Sequence, residues 1–272
     1  MPRSMWTGSL SFGLVNVPVA LFSGVRDTDV HFRQLHDADH VPIEIHRFCA
    51  QEDAEVPYEE IAHGYETDDG EQVVLSDAEL ATAAPRKTRT IDIEAFVDLA
   101  DVDPIYFDHP YLLMPDGEAE GTVRAYRLLL EVMSRTERAA LGRFVMRTRE
   151  YLVLIRARSG RLALTTLLFH DEVRDTKDLP TPTKKDRPAK KEVDRTIRLI
   201  EALSCDWDPD RYEDRYEKRL KRVIREKRKG GTIKVPEAEP EPSPVPDLMA
   251  ALEKTLAEIE SGDRPTPAAA AR

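Results

Sequence analysis

Residues 6–22, WTGSLSFGLVNVPVALF, constrain the fold more than any other stretch of the chain. Trp6, Gly8, Leu10, Phe12 and Leu14 occupy even positions, with Thr7, Ser9, Ser11 and Gly13 between them. Period-2 alternation marks a strand with one buried face. The phase then slips, and Val15, Val17, Val19 and Leu21 carry the apolar set on odd positions. A one-residue slip turns every following side chain to the other face of a sheet. Gly13, Asn16 and Pro18 cluster at the slip, where a bulge or corner needs permissive backbone. The expectation is one strand that bends near 13–16 and presents 6–14 and 15–21 to different layers. The two glycines of GSLSFG lack the Lys-Ser/Thr that completes a phosphate loop and open no helix, so they are assigned to the bend.

The first half continues as strands and turns. VHFRQL, EIHRF, EQVVL and RTIDIEAFVDL carry β-branched or alternating apolar positions between Asp-, Gly- and Pro-containing breaks. Residues 57–63 and 76–83 read as short helices, Ser76 and Glu79 fitting a capping box before Leu80. The stretch 103–115, DPIYFDHPYLLMP, reads as an extended strand with defined corners.

A long helix is expected over 122–138. Val123, Tyr126, Leu129, Leu130 and Met133 form its apolar stripe, leaving Arg124, Arg127, Glu131 and Arg135 outside. Three strands follow, at 143–148, 150–157 and 161–169, the last two joined at Arg158, Ser159 and Gly160. Arg143, Val145, Arg147 and Arg149 would share one face of the first. Leu152, Leu154, Arg156 and Arg158 would share one face of the second, opposite Tyr151, Val153 and Ile155. Arginines projecting from adjacent strands make a rigid basic surface.

Residues 179–191, LPTPTKKDRPAKK, form a Pro- and Lys-rich loop. A helix follows over 192–203 with Val193, Ile197, Ile200 and Leu203 on one side. A second helix follows Asp208 and Pro209, with Tyr212, Tyr216, Leu220, Val223 and Ile224 as its stripe, and ends in cations and glycines. Residues 234–247, KVPEAEPEPSPVPD, are an acidic linker with no capacity for a core. A short amphipathic helix then places Leu248, Met249, Leu252, Leu256 and Ile259 on one face, which it cannot bury alone. That face is expected to dock on a partner or fold back on the body. The last residues read as disordered.

Charge is segregated. Residues 1–120 hold 7 Lys/Arg against 25 Asp/Glu, a net of -18; residues 121–230 hold 29 against 18, a net of +11. The total of -11 thus hides a basic middle segment able to meet a polyanion. The basic candidates are Arg3, Arg86, Lys87, Arg89, Arg143, Arg147, Arg149, Arg156, Arg158, Lys184, Lys185 and Lys190. Without a helix-turn-helix or a series of stacking aromatics, the expected mode is contact with the nucleic-acid backbone and no sequence preference.

His31, His36, His40, His46 and Cys49 fall within nineteen residues, but Glu52 stands where a C-x-x-C pair needs its second cysteine. No nucleophile elbow, Walker pair or dinucleotide fingerprint is present. No apolar run reaches the ~18 residues of a membrane span, and the N-terminus has no secretory apolar region. A cytoplasmic protein is expected.

The order of segments closely resembles the bacterial Ku proteins, the DNA end-binding factors of non-homologous end joining. The likeness runs through RSMWTGSLSFGLVNVPVALFSG, AEVPYEEIAHGYE, EQVVLSDAEL, DVDPIYFDHPYLL, RFVMRTREYLVLIRAR, LTTLLFHDEVRD and CDWDPDRYEDRY, covering roughly residues 2–229. The resemblance implies a mixed α and β, mainly β fold: a Ku-type β-barrel core with helical arms and a flexible C-terminal tail. The domains would be 1–191 as core with DNA-channel elements, 192–230 as helical arm, 231–247 as linker and 248–272 as short helix and disordered end. It further implies a homodimer forming a ring through which a double-stranded DNA end threads. Contacts would go to the sugar-phosphate backbone, with no catalytic residue, no cofactor and no metal, and an ATP-dependent multifunctional DNA ligase would be recruited. Tyr212, Tyr216, Leu220 and Ile224 become candidates for packing between subunits, although docking within one chain fits the pattern equally.

Two departures from relatives count. Many have the C-x-x-C pair that Cys49 and Glu52 do not make, and many end in a lysine-rich tail, which this chain replaces with an acidic linker, one helix and AAAAR. The alternatives are a metal-dependent hydrolase using the His31 to Cys49 cluster and a β-barrel adaptor that makes protein contacts through its C-terminal helix.

Overall fold

Trp6–Phe12 (β1) and Val15–Ser23 (β2) are two antiparallel strands joined by a two-residue turn. This corrects the single bent strand expected from the phase slip. Phe12 pairs with Val15, Leu10 with Val17 and Trp6 with Leu21, so even residues of β1 meet odd residues of β2. Directly opposed residues share a face. Both apolar runs therefore point the same way, and the change of parity is simply what a two-residue reversal does to numbering. Gly13 has φ +58° and Leu14, the other turn residue, is outside the left-handed region, the pattern of a type II′ turn. Gly8 has its own reason: a Cβ there would strike the Arg89 carbonyl oxygen and the Trp6 ring.

The computed structural model describes residues 3–86, 88–180 and 189–231. The chain divides into two units, Met1–Thr28 with Arg33–Asp178, and Asp29–Phe32 with Leu179–Arg272. After β2, the first unit contains two small hairpins, Phe48–Cys49 (β3) with Ala54–Glu55 (β4), and His63–Glu66 (β5) with Gln72–Leu75 (β6). Helix Asp77–Ala83 (α1) follows with the anticipated capping box: Glu79 N–H donates to Ser76 Oγ at 3.3 Å and Ser76 N–H to Glu79 Oε2 at 2.9 Å. Then come Thr90–Asp98 (β7), Phe107–Pro115 (β8), Glu120–Thr136 (α2), Arg138–Met146 (β9), Arg149–Arg158 (β10) and Arg161–Leu167 (β11).

Seven strands close a barrel in the order β1-β2-β8-β11-β10-β9-β7. Every pairing is antiparallel except β1 with β7, where Leu10 lies opposite Ile91. Closure leaves no open edge to recruit other chains. Leu10, Val19, Leu21, Ile91, Leu113, Phe144, Val153, Ile155 and Leu164 fill the interior. Tyr126 and Met133 of α2 join that same cluster. A helix reaches interior side chains only through an open end, so α2 covers one mouth of the barrel. A second cluster, Ala139, Leu154 and Leu167 with Val97, Leu99 and Tyr106, packs on the outer face.

Several boundaries differ from expectation. VHFRQL and EIHRF form no barrel strands; Leu35 makes one isolated bridge to Pro42, and only Phe48 of EIHRF lies in a strand. Helix α2 ends at Thr136 because Glu137 turns to φ +54°, so Arg138 begins β9 instead of closing the helix. The strand expected at 143–148 ends at Met146. Arg147 and Thr148 are a turn, and Arg149 opens β10. Arg143, Arg147 and Arg149 thus do not share one strand.

In the second unit, Lys190–Leu203 (α3) buries Leu199 and leaves Val193, Ile197, Ile200 and Leu203 exposed. Pro209–Arg211 is a 3-10 turn and Arg215–Arg228 (α4) begins later than expected. Asp214 is its cap, accepting from the Glu217 N–H at 2.9 Å. Tyr212 lies before this helix, stacked on Trp207 at 5.2 Å and 22°.

Candidate nucleic-acid interface

Strand direction places the basic candidates. β10 runs from Arg149 at one barrel end to Arg158 at the other. At about 3.3 Å per residue those ends stand roughly 30 Å apart. Arg147, in the turn before β10, shares the first end with Arg89, which precedes β7. Arg3 precedes the start of β1, and Arg86 lies in the loop leading to β7. Arg156 and Arg158 lie at the opposite end, the mouth covered by α2. The arginines of adjacent strands, expected to form one basic surface, are therefore split between two ends. Between them, the outer face of β10 is apolar, with Leu154 buried in the outer cluster.

The arginines also differ in electrostatic state. Arg143 Nε lies 3.1 Å from Glu94 Oε1, and its Nη1 lies 3.2 Å from Glu150 Oε2. Glu94 is the extra residue of a β7 bulge between Ile93 and Ala95. The Arg143 guanidinium also sits 6.0 Å from the Phe169 ring centroid. Arg149 Nη2 lies 3.0 Å from Glu172 Oε1. Such exposed pairs stabilise little, yet each places a carboxylate where a phosphate would have to compete.

Arg147, Arg156 and Arg158 have no ion pair with another described residue. Arg147 has φ +60° and Arg89 φ +48°. Left-handed backbone is costly for a residue with a Cβ, and a glycine at the position itself would relieve it. Each site holds arginine instead. Arg89 is further fixed by its carbonyl, which accepts from Ser9 N–H at 3.0 Å. Burial pushes the nearby Tyr111 phenol up, with the charge of Arg147 opposing the shift.

Arg3 and Arg86 are exposed. Lys87, Lys184 and Lys185 lie outside the described residues, as does the helix carrying Leu248, Met249, Leu252, Leu256 and Ile259. Of the packing candidates, Tyr212 and Tyr216 are exposed, Ile224 marginally so and Leu220 half-buried. Sequence reading left out Arg127 of α2, whose place on the polar side of a helix looked like ordinary solvated surface. Only the closure of the barrel brings it beside Arg158.

The histidine cluster separates into local pairs. His36 Nδ1 is 3.0 Å from Asp39, and His46 Nδ1 is 2.6 Å from Glu55 with Nε2 3.5 Å from Glu44. The Cys49 thiol is held below its usual range by the backbone N–H groups of Glu52 and Gln51. Among the described residues, no three His, Cys, Asp or Glu side chains group as a metal site. No helix among them is long and apolar enough to cross a membrane.

The sequence matches the family model described as Ku, the Ku70/Ku80 beta-barrel domain, over residues 11–195. It is 40% identical over 258 residues to the non-homologous end joining protein Ku of Anaeromyxobacter sp. (strain K), covering 94% of this chain and 86% of that one. The Opitutus terrae protein of the same name is 37% identical over 273 residues, covering 99% and 97%. The Mycobacterium tuberculosis (strain ATCC 25618 / H37Rv) protein is 35% identical over 262 residues, covering 93% and 94%.

Proposed function

Since this chain belongs to the Ku family, we propose that it binds the ends of double-stranded DNA without sequence preference, as a ring-shaped homodimer. In that role it protects ends and recruits an ATP-dependent multifunctional DNA ligase for non-homologous end joining. We assign it no reaction of its own. The observation that carries this reading is the family match, which spans six barrel strands whole, the last two residues of β1, and the intervening segments. The basic candidates are well suited to it, because arginine meets phosphate as a planar fork and reads no base.

The homodimer has separate support. No described residue between Arg33 and Arg89 is buried, although Ile45, Phe48, Tyr58 and Tyr65 are among them. Large apolar side chains in such number favour a cover, and a second copy supplies one without a new partner. The domain limits 1–191, 192–230, 231–247 and 248–272 belong to the same proposal.

Binding to a linear duplex and to the same sequence closed into a covalent circle, across a salt series, tests the ring. The linear form should bind, with affinity falling steeply as salt rises, and the closed circle should not. Equal binding to both forms overturns threading. Removing residues 245–272 should abolish stimulation of the ligase and leave end binding unchanged; retained stimulation removes that segment as the ligase contact.

A further inference from the structure

The α2 mouth of the barrel contains a second basic surface. Two adjoining cavities, of about 330 and about 250 Å³, share Ser134 and Ala157. Arg127, Arg135 and Arg158 line the first, and Arg138 and Arg156 the second. Glu131 and Glu137 are the carboxylates of this trough. Arg135 lies 3.6 Å from Glu131, and Arg138 lies 3.8 Å from Asp98. Arg127, Arg156 and Arg158 have no ion pair with any described residue.

A basic cluster at a helix C-terminus can serve simply to balance the negative end of the dipole. That effect fades within the last turn. Arg135 satisfies it. Arg127 is more than two turns from the end, and Arg156 and Arg158 belong to a strand, so the dipole does not account for them. Their supports are rigid. Next to Arg127, the Tyr126 hydroxyl donates to the Leu113 carbonyl at 2.7 Å and accepts from Leu162 N–H at 2.9 Å. Arg158 flanks a two-residue turn with φ +48° at Ser159 and +73° at Gly160, the type I′ pattern that suits a twisted hairpin.

We infer that this trough is a phosphate-binding surface for the backbone of duplex DNA, with Arg127, Arg156 and Arg158 as its anion contacts. The inference rests on the end-binding reading and adds to it a contact at the barrel end opposite Arg89 and Arg147. Guanidinium groups held on rigid elements lose little freedom when they engage a phosphate, which favours a backbone contact over diffuse attraction.

The test uses the full chain and a labelled duplex, measuring affinity over a salt series. Arg127→Gln with Arg158→Gln should lower the slope of log affinity against log salt by about 1 per arginine. Both side chains are exposed, so the thermal midpoint and the oligomeric state should not change. Arg127→Lys with Arg158→Lys should restore most of the slope. If the glutamine pair keeps the wild-type slope while Arg147→Glu still weakens binding, the trough is overturned and end binding stands. If the wild type does not bind duplex, the underlying reading fails instead. Inorganic phosphate should displace DNA no better than chloride at equal ionic strength. Displacement specific to phosphate, lost in the glutamine pair, would make this a site for a free anion and overturn the backbone assignment.

Discussion

The Tyr126 hydroxyl of α2 donates to the Leu113 carbonyl of β8 at 2.7 Å and itself accepts from Leu162 N–H of β11 at 2.9 Å. Leu113 and Leu162 are register partners, so one phenol bridges a backbone donor and a backbone acceptor of the same strand pair. Burial pushes the phenol up, partly offset by the Leu162 N–H, which keeps the donating form at physiological pH. With Met133, Leu129 and Leu130 packed against the same core, this contact helps to hold the helix over the barrel mouth.

Tyr126→Phe should therefore lower unfolding stability by about 1–3 kcal/mol, the cost of buried backbone groups without partners. Tyr126→Ala should cost more, about 3–5 kcal/mol, because it also opens a cavity. Urea denaturation at fixed protein concentration measures both. Equal stability of wild type and Tyr126→Phe would mean that Leu113 and Leu162 close directly on one another.

The β1–β2 turn predicts opposite outcomes at neighbouring positions. Gly13→Val forces a β-branched residue into left-handed backbone and should cost about 1–2 kcal/mol. Leu14→Ser changes a fully exposed side chain and should stay within about 0.5 kcal/mol. Chemical denaturation of the two variants distinguishes a hairpin from the bent strand, which would make Leu14 the costlier change.

The barrel end carrying Arg147 should discriminate among arginines that look alike in sequence. Arg147→Glu should reduce duplex affinity and lower the salt slope by about 0.9. Arg143→Gln and Arg149→Gln should change it less, since Glu94, Glu150 and Glu172 already balance those charges. Arg147→Gly should lose affinity too, yet raise stability by about 1 kcal/mol by relieving the φ of +60°. Fluorescence anisotropy and thermal melting, read together, separate the two effects.

His46 gives a pH signature. Its pKa is raised above the ordinary 6.5, mainly by the Glu55 hydrogen bond and charge, with Glu44 adding to both. A raised native value stabilises the fold fully below pH 6.5 and loses that contribution as pH climbs through the native value. The thermal midpoint of the wild type should exceed that of His46→Gln on the acid side, with the difference shrinking toward alkaline pH. A difference that grows with pH would contradict the pairing.

Much of the fold was legible because local rules and the final structure agree. The Ser76 and Glu79 capping box, the apolar stripe of α2 and the Ser159-Gly160 turn each depend on residues close in sequence. The errors arose where parity was extended through a reversal. At Gly13 and Leu14, and again at Arg147 and Thr148, a two-residue turn mimics a phase change or continues an alternation while the chain turns back. Arg147 is especially deceptive, because arginine is not the residue that turn conformation favours. The candidate site was less legible than the fold. Alternation fixes which side chains share a face, but not which carboxylates cross from neighbouring strands.

By itself, the sequence determined the family through its ordered motifs, the segregation of charge, and the strands and helices whose periodicity is local. Tertiary structure alone decided which arginines are balanced and where they gather. Glu94 reaches Arg143 because of a bulge on β7, and Arg127 meets Arg158 because the barrel closes under α2. Both depend on long-range register, which is fixed by strands pairing around a closed circuit and leaves no trace in the spacing of any one segment.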